Sequence, residues 1–230
     1  MWIEDLKSAL SPAYRRARKD RWKYRWLPEQ NIQTVLDIGA NKGQFAGRMR
    51  HALPNAQLYC FEPLKDCFEQ LTNRFRGDGR FQAFPFALGD AEGTAVIRHS
   101  VHSPASSLLP MSDLHKQVYP ETVAFESEEI QIRTLDQAIA GLGLTPNVLV
   151  KIDVQGYEDR VIRGGQKTLA TAKAVLMEVS FRKLYEGQLL FDGLYDLLRP
   201  MGFVFSGFQG QAQDPQSGEV LFGDAIFIRK

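Results

Sequence analysis

The stretch at residues 34–45 constrains the fold more than any other part of the chain. Its first five residues, Thr-Val-Leu-Asp-Ile, are large or β-branched, which predicts a short buried parallel strand. The run leads into Gly39 and Gly43, and a helical pattern follows. Glycines at such a turn let the backbone bend tightly and approach a ligand closely. Asp37 interrupts the apolar run, and a buried carboxylate is costly unless it orients the loop or holds a polar ligand.

The spacing of the glycines limits the classes of ligand that this turn could bind. Gly39 and Gly43 form Gly-x-x-x-Gly, which lacks the third glycine of dinucleotide-binding loops and the Gly-Lys-Ser/Thr of a P-loop. This spacing favours a nucleoside without a pyrophosphate. With Asp37 included, the pattern resembles the S-adenosylmethionine (SAM) loop of class I methyltransferases. The alternative is that both glycines serve the turn alone.

Composition sets broad limits. The 230 residues, 44% hydrophobic and 24% charged, indicate one ordinary globular domain. The net charge of +1 gives no overall reason to expect nucleic acid or a membrane as a partner. Cys60 and Cys67 provide neither a disulfide framework nor a zinc set. No apolar run approaches the roughly 20 residues of a membrane helix, and no signal peptide is evident, so we expect a cytoplasmic protein.

Residues 1–30 differ from the rest of the chain. They contain eight Lys or Arg against four acids, with five aromatic residues interleaved, and Ser11-Pro12 predicts a helix start. We therefore expect a basic, aromatic helical segment over residues 1–30 and a single domain over residues 31–230. The segment packs across the sheet edge or ligand mouth, or forms a basic surface that gathers an anionic substrate or partner. A membrane or nucleic-acid anchor is disfavoured because the basic excess is small.

Strand and helix patterns alternate from residue 34, which predicts an α/β fold with a mostly parallel sheet and helices on both faces. Residues 81–88 are predicted as one strand, and residues 203–205 and 221–228 as a closing antiparallel hairpin. The polar stretch at residues 100–127 is predicted as a long loop that acts as a lid or binding loop.

Acidic residues fall at the ends of several predicted strands. Glu62, followed by Pro63, ends the second strand, where a carboxylate can accept both ribose hydroxyls. Asp153 ends the fourth core strand, and Glu178 lies near the end of the fifth. Because ligands bind at the carboxyl ends of parallel strands, we expect Asp37, Glu62 and Asp153 to meet at one edge.

Six motifs in preserved order resemble the FkbM family of SAM-dependent methyltransferases over residues 32–200. The motifs are Val-Leu-Asp-Ile-Gly-Ala-Asn-Lys-Gly-Gln-Phe from residue 35, Phe-Glu-Pro from 61, Ala-Leu-Gly-Asp from 87, Ser-Ser-Leu from 106, Arg-Thr-Leu-Asp from 133 and Lys-Ile-Asp-Val-Gln-Gly-Tyr-Glu from 151. Gln155 stands where the family pattern has Glu. The resemblance implies a class I, Rossmann-like fold with a seven-stranded sheet, and O-methylation of a hydroxyl on a sugar, polyketide or other secondary metabolite.

The resemblance and the strand-end positions together assign a cofactor-binding set. Four residues of the glycine loop are expected to bind the methionine end of SAM, and Glu62 is expected to bind its ribose. Ala87 and Leu88 are expected to pack near the adenine. The complete expected set is Asp37, Gly39, Ala40, Asn41, Gly43, Phe45, Glu62, Pro63, Ala87, Leu88 and Asp153.

Methyl transfer from SAM is an in-line displacement, so catalysis is mainly positioning, helped by a base for the acceptor hydroxyl. Asp153 is the first choice for that base or for positioning the acceptor, and Glu178 and His102 are the other catalytic candidates. No metal ligand is assigned. Participation of a divalent metal such as Mg²⁺ is an alternative, because Asp153 and Glu178 could ligate it through oxygen.

The expected partner is a small hydroxylated molecule, with no nucleic acid and no membrane span. The sequence is compatible with an oligomer. Three other functions are considered. A nucleic-acid or other N-methyltransferase would favour Asn/Asp-Pro-Pro-aromatic where this chain has Asp153-Val154-Gln155-Gly156. A nucleotide-dependent oxidoreductase would require the third glycine of a dinucleotide-binding loop, which this chain lacks. A non-catalytic SAM-binding subunit would bind SAM and form no product.

Overall fold

The computed structural model describes residues 11–100 and 106–230. Within these residues, a seven-stranded sheet has the order β3-β2-β1-β7-β8-β10-β9. The strands are β1 (Thr34–Ile38), β2 (Gln57–Phe61), β3 (Phe81–Phe84), β4 (Ala87–Gly89), β5 (Gly93–Ser100), β6 (Phe125–Thr134), β7 (Val148–Ile152), β8 (Ala174–Ser180), β9 (Phe203–Gln213) and β10 (Val220–Arg229). In this sheet β10 pairs antiparallel with both β8 and β9, and the other four pairs are parallel, which confirms the predicted mostly parallel sheet with a C-terminal hairpin.

Helices cover both faces of the sheet. In the described residues they are α1 (Pro12–Lys23), α2 (Gln44–Ala52), α3 (Lys65–Arg74), α4 (Asp113–Val118), α5 (Leu135–Ala138), α6 (Glu158–Gly164), α7 (Gln166–Leu169) and α8 (Phe191–Leu198). Short 3-10 turns occupy Pro28–Gln30, Pro120–Thr122 and Arg199–Met201.

The alternation of side chains along the central strands explains the two helical layers. Val35 of β1 and Leu149 of β7 enter one buried apolar cluster, whereas Leu36 and Val150 enter the other. Successive residues of a strand point to opposite faces, and both faces are apolar here, so helices must cover both. The first cluster contains residues of α2 and α3, and the second contains residues of α5 to α8.

The prediction of a single strand over residues 81–88 is wrong. It divides at Pro85 into β3, which pairs with β2, and β4, which pairs with β6 in a separate three-stranded sheet of order β4-β6-β5. Proline has no N–H to donate to a sheet ladder, so pairing ends there and the chain changes sheets. This change brings Ala87 and Leu88 beside the end of β2, where the functional site lies.

Helix α1 begins where the sequence indicates. The Ser11 hydroxyl accepts a hydrogen bond from Tyr14 N at 3.5 Å, and Pro12 opens the helix. The helix packs on α2 through a hydrogen bond between Asp20 Oδ2 and His51 Nδ1 at 2.8 Å. The division into a 1–30 segment and a 31–230 domain stays a prediction. No helix in the described residues is long and apolar enough to span a membrane.

Candidate active site

Three cavities meet at the carboxyl ends of β1 and β7, and Gly39, Asn41 and Asp153 line all three. Cavity A, about 60 Å³, is further lined by Ile38, Phe61, Glu62, Pro63, Leu64, Ala87, Leu88, Ile97, Ser106, Leu108, Val154, Gln155 and Tyr157. Cavity B, about 270 Å³, adds Tyr24, Ala40, Gln44, Phe45, Arg48, Lys151, Ile152, Leu176, Glu178 and Asp224. Cavity C, about 360 Å³, adds His115, Tyr119, Glu121, Thr122, Gln155, Glu178, Leu184 and Phe222.

The turn after β1 requires glycine at position 39. Gly39 has φ +76°, and an ideal Cβ there would lie 2.0 Å from the Asp153 carbonyl oxygen. The Gly39 and Ala40 N–H groups both donate to Phe61 O, at 3.1 and 3.0 Å. The glycine therefore lets the ends of β1, β2 and β7 come together around one point.

Glu62 fastens the glycine loop to the end of β2. Its two carboxylate oxygens accept hydrogen bonds from Asn41 N at 2.7 Å and from Leu64 N at 3.0 Å. Burial raises the pKa of Glu62 to about 7, although these two N–H donors pull it down. The side chain thus lies on the wall of cavity A and titrates near neutral pH.

Lys151 is the central cation of the site. Its Nζ lies 3.2 Å from Asp37 and 3.4 Å from Asp153, and it donates to Gly39 O at 3.0 Å. Burial alone would lower the Lys151 pKa, but the two carboxylates outweigh it and raise the pKa. Lys151 therefore stays charged and ties the glycine loop to both strand ends.

Gln155 bridges the two acids predicted as catalytic. Its Nε2 donates to Asp153 Oδ1 at 2.9 Å and to Glu178 Oε1 at 3.0 Å. Its Oε1 accepts from the Tyr185 hydroxyl at 2.8 Å. Burial, followed by repulsion from Asp153, raises the pKa of Glu178 well above its usual range. This environment favours the neutral form of the Glu178 carboxyl group.

Glu158 has a structural task in the Lys-Ile-Asp-Val-Gln-Gly-Tyr-Glu motif. Its buried Oε1 accepts hydrogen bonds from Val154 N at 3.1 Å and Gly156 N at 3.2 Å. These bonds fix the turn after β7, where Gln155 itself has φ +55°. The motif thus sets where Asp153 and Gln155 point.

His115 on α4 was not in the predicted catalytic set, yet it lines cavity C. The Thr122 hydroxyl donates to Tyr119 O at 2.8 Å, so at its 3.0 Å contact with His115 it accepts from an Nε2–H. Burial lowers the pKa of His115, which leaves the ring neutral. Its buried Nδ1 therefore has a lone pair, and no partner for it lies among the described residues. The sequence has three histidines between residues 99 and 115, namely His99, His102 and His115, and nothing in the sequence alone selects His115 among them.

The structure brings most of the expected cofactor set together. Those on the cavity walls are Gly39, Ala40, Asn41, Phe45, Glu62, Pro63, Ala87, Leu88 and Asp153. Asp37 instead lies beneath the loop, 1% exposed and paired with Lys151. Gly43 packs on α3, because a Cβ there would lie 2.8 Å from Leu71 Cδ1. His102 lies outside the described residues. Gln155 and Tyr185 are site residues that the sequence did not identify.

A group of three side chains suited to a metal lies elsewhere in the described residues. One ligand atom from each of Asp66, Cys67 and His99 lies within 4.8 Å of the others. The group joins α3 to β5 and does not include Asp153 or Glu178.

The sequence comparisons identify the family. A profile of the methyltransferase FkbM domain matches residues 37–205. The chain is 32% identical over 204 residues to the 2-O-methyltransferase NoeI of Sinorhizobium fredii, covering 85% of this chain and 81% of that protein. It is 30% identical to part of the AMB antimetabolite synthetase AmbE of Pseudomonas aeruginosa, covering 75% of this chain and 10% of the synthetase. The chain therefore belongs to the FkbM methyltransferase family.

The structural comparison supports the fold. The N-terminal domain of EvdMO1, determined in the presence of S-adenosylhomocysteine (SAH) and D-fucose, aligns with a TM-score of 0.53 and 11% identity. The alignment covers 94% of this chain and 83% of that domain. The predicted class I, Rossmann-like methyltransferase fold is thus confirmed.

Proposed function

We propose that this methyltransferase moves the methyl group of SAM to a hydroxyl of a small molecule, a sugar or secondary metabolite. The observation that carries this function is the convergence of cavities A, B and C on Gly39, Asn41 and Asp153. A cofactor that spans two cavities places its reactive centre at their junction, and the third cavity admits an acceptor to the same point. The relative NoeI is named a 2-O-methyltransferase, which supports oxygen as the attacked atom.

In this arrangement the adenosine occupies cavity A and the methionine occupies cavity B. Glu62 accepts the ribose hydroxyls, and Ala87 and Leu88 pack against the adenine. Arg48 and Gln44 supply donors for the methionine carboxylate on the wall of cavity B.

Bound SAM supplies an electrophilic methyl on a sulfonium sulfur; attack by the acceptor oxygen breaks the carbon–sulfur bond and releases SAH. Asp153 faces the junction, and its side chain is 34% exposed. It orients the acceptor hydroxyl and takes its proton, while Lys151 and Gln155 hold the carboxylate in place. Glu178 lies on the cavity wall beside Asp153, and His115 shapes the acceptor cavity.

A divalent metal is not needed for this mechanism. The Gln155 amide nitrogen lies between Asp153 and Glu178, where a shared cation would otherwise lie. We expect equal transfer rates in EDTA and in Mg²⁺. A rate that depends on added Mg²⁺ would contradict the metal-free mechanism.

SAM affinity should rise as the pH increases from 6 to 8. Glu62 has a pKa of about 7 in the free protein, so it is mostly protonated at pH 6. The two ribose hydroxyls donate to the carboxylate and favour its ionised form, so binding below pH 7 releases a proton. The affinity should then be about tenfold lower at pH 6 than at pH 8. Calorimetry in buffers of different ionisation enthalpy measures both the affinity and the proton release.

Glu62→Gln is the matched variant for this measurement, since it keeps the shape and cannot titrate. It should bind SAM with one affinity across the range. A wild-type affinity that does not change with pH would place the ribose away from Glu62.

The function is tested by incubating the protein with tritiated-methyl SAM and a cell extract, then isolating the labelled product. The expected product is a small molecule methylated on oxygen. A methyl group on nitrogen would indicate an N-methyltransferase. Bound SAM with no transferred label would indicate a non-catalytic SAM-binding subunit.

A further inference from the structure

Three side chains of the kinds that bind metal ions converge between α3 and β5, beside cavity A. One ligand atom from each of Asp66, Cys67 and His99 lies within 4.8 Å of the other two. Asp66 and Cys67 belong to the first turn of α3, and His99 belongs to β5. The two cysteines alone provide no zinc set, whereas the fold adds a carboxylate and an imidazole to Cys67. No second group of this kind is found within residues 11–100 and 106–230.

The packing of α3 on β5 determines how the three side chains meet. Cys67 and Ile97 belong to one buried apolar cluster, and alternate residues of a strand lie on the same face. His99 therefore lies on the side of β5 that faces α3. Cys67 is 3% exposed, whereas the side chain of Asp66 is half exposed. The thiol thus lies on the inner side of the group, and the carboxylate lies where an ion can enter from solvent.

The separation of the nitrogen and oxygen atoms suits two ligands of one ion. His99 Nε2 and Asp66 Oδ1 are 3.9 Å apart, which is too far for a direct hydrogen bond. Two atoms that each lie about 2.0–2.3 Å from a tetrahedral ion are roughly 3.3–3.8 Å apart. A small rotation of the half-exposed Asp66 side chain closes the difference. Sulfur, nitrogen and oxygen ligands with one position left for water are typical of Zn²⁺.

The charges around the thiol favour a bound cation. Burial raises the pKa of Cys67 to about 12, and the nearby carboxylates of Glu62 and Asp66 add to the rise. The ammonium group of Lys42 acts in the opposite direction and does not outweigh them. A divalent ion offsets the repulsion between a thiolate and these carboxylates, and it stabilises the thiolate directly.

We propose that Asp66, Cys67 and His99 bind one Zn²⁺ ion, with water as the fourth ligand. As the sulfur–zinc bond forms, the Cys67 thiol releases its proton to the solvent. The ion joins α3 to β5 and so stabilises the fold at the wall of cavity A that Ile97 forms. None of its three protein ligands lines cavity A, B or C, so the ion takes no part in methyl transfer.

Titration of the untagged, metal-free protein with Zn²⁺ tests the site without any methyl transfer. Calorimetry should show one-to-one binding, and Cys67→Ser and His99→Ala should each weaken it at least about 100-fold. Asp66→Asn changes a half-exposed side chain, so it preserves the fold, and it should weaken binding at least about tenfold.

His51→Ala is the matched control for the titration. His51 also lies beside a carboxylate, with 2.8 Å between its Nδ1 and Asp20 Oδ2, but it is not part of a group with a thiol. This variant should change the Zn²⁺ affinity less than about twofold. No one-to-one binding by the wild-type protein, or an affinity that the three ligand variants leave unchanged, would overturn the proposal.

Cobalt substitution reports on the thiolate itself. The Co²⁺-loaded wild-type protein should show a thiolate-to-cobalt charge-transfer band in the near ultraviolet. Cys67→Ser should lose the band although Cys60 remains. A band that persists in Cys67→Ser, or no band in the wild type, would contradict the assignment of Cys67 as a ligand.

Thermal unfolding measures the stabilisation. With free Zn²⁺ about 100-fold above its Kd, the wild-type Tm should rise by about 5 °C or more. Cys67→Ser and Asp66→Asn should show no comparable rise at the same Zn²⁺ concentration. A wild-type Tm that does not respond to Zn²⁺, or an equal rise in both variants, would overturn the stabilising role of the ion.

Discussion

Gly39→Ala should weaken SAM binding at least about 100-fold while the protein remains folded. The new Cβ would lie 2.0 Å from the Asp153 carbonyl oxygen, and φ +76° is unfavourable for alanine. The clash is with backbone, so relief requires the glycine loop to move away from the end of β7. That movement closes or displaces the junction of the three cavities. A loss of 100-fold corresponds to about 2.7 kcal/mol of binding free energy.

Gly77→Ala is the matched control, because Gly77 has φ +85° with no atom within 4 Å of an added Cβ. It carries a similar backbone cost of about 1–2 kcal/mol without the clash. Calorimetry gives the SAM affinity of both variants, and circular dichroism with thermal unfolding verifies that they fold. Equal SAM affinity in Gly39→Ala and wild type would refute the glycine loop as part of the cofactor site. If Gly39→Ala does not fold, Glu62→Ala tests the same site from the β2 side and should also weaken SAM binding strongly.

Asp153→Asn should bind SAM within a few-fold of wild type and lose about 10²- to 10⁴-fold in kcat. The amide keeps the size of the side chain but cannot take the acceptor proton. Lys151 retains Asp37 at 3.2 Å, so the loop should remain in place. The measurement is calorimetric SAM binding together with tritiated-methyl transfer under acceptor saturation.

Asp90→Asn serves as the control for this variant. Asp90 also follows a strand end, but it is on the surface, 3.8 Å from Arg160. Its kcat should match wild type. Wild-type turnover in Asp153→Asn would remove Asp153 from the chemistry and direct attention to His115 on the wall of cavity C.

The main features of the fold could be predicted because they depend on local patterns. The apolar run of β1 and the glycine turn determine a strand, a tight bend and a helix, and alternation of such units determines a parallel sheet. Glu62 and Asp153 could be placed by their position at strand ends alone. The division at Pro85 was missed because flanking Phe84 and Phe86 continue the apolar pattern on both sides of the proline.

The finer features of the site depend on contacts between residues far apart in sequence. Gly43 was assigned to the cofactor, yet position 43 also needs glycine for packing. A Cβ there would clash with the side chains of Leu71 and Phe75 in the neighbouring helical layer. Gln155 could not be identified as a bridge without knowing that Glu178 of the next strand lies 3.0 Å away. His115 could not be distinguished from the other histidines of its region, because only the fold places it on the wall of cavity C.

A crystal structure of the protein with SAH tests most directly whether the cofactor spans the junction of the cavities. We expect the sulfur beside Asp153 and Asn41, the ribose hydroxyls on Glu62, and the adenine against Ala87 and Leu88. SAH bound elsewhere, or a ribose that makes no hydrogen bond to Glu62, would contradict this position of the cofactor.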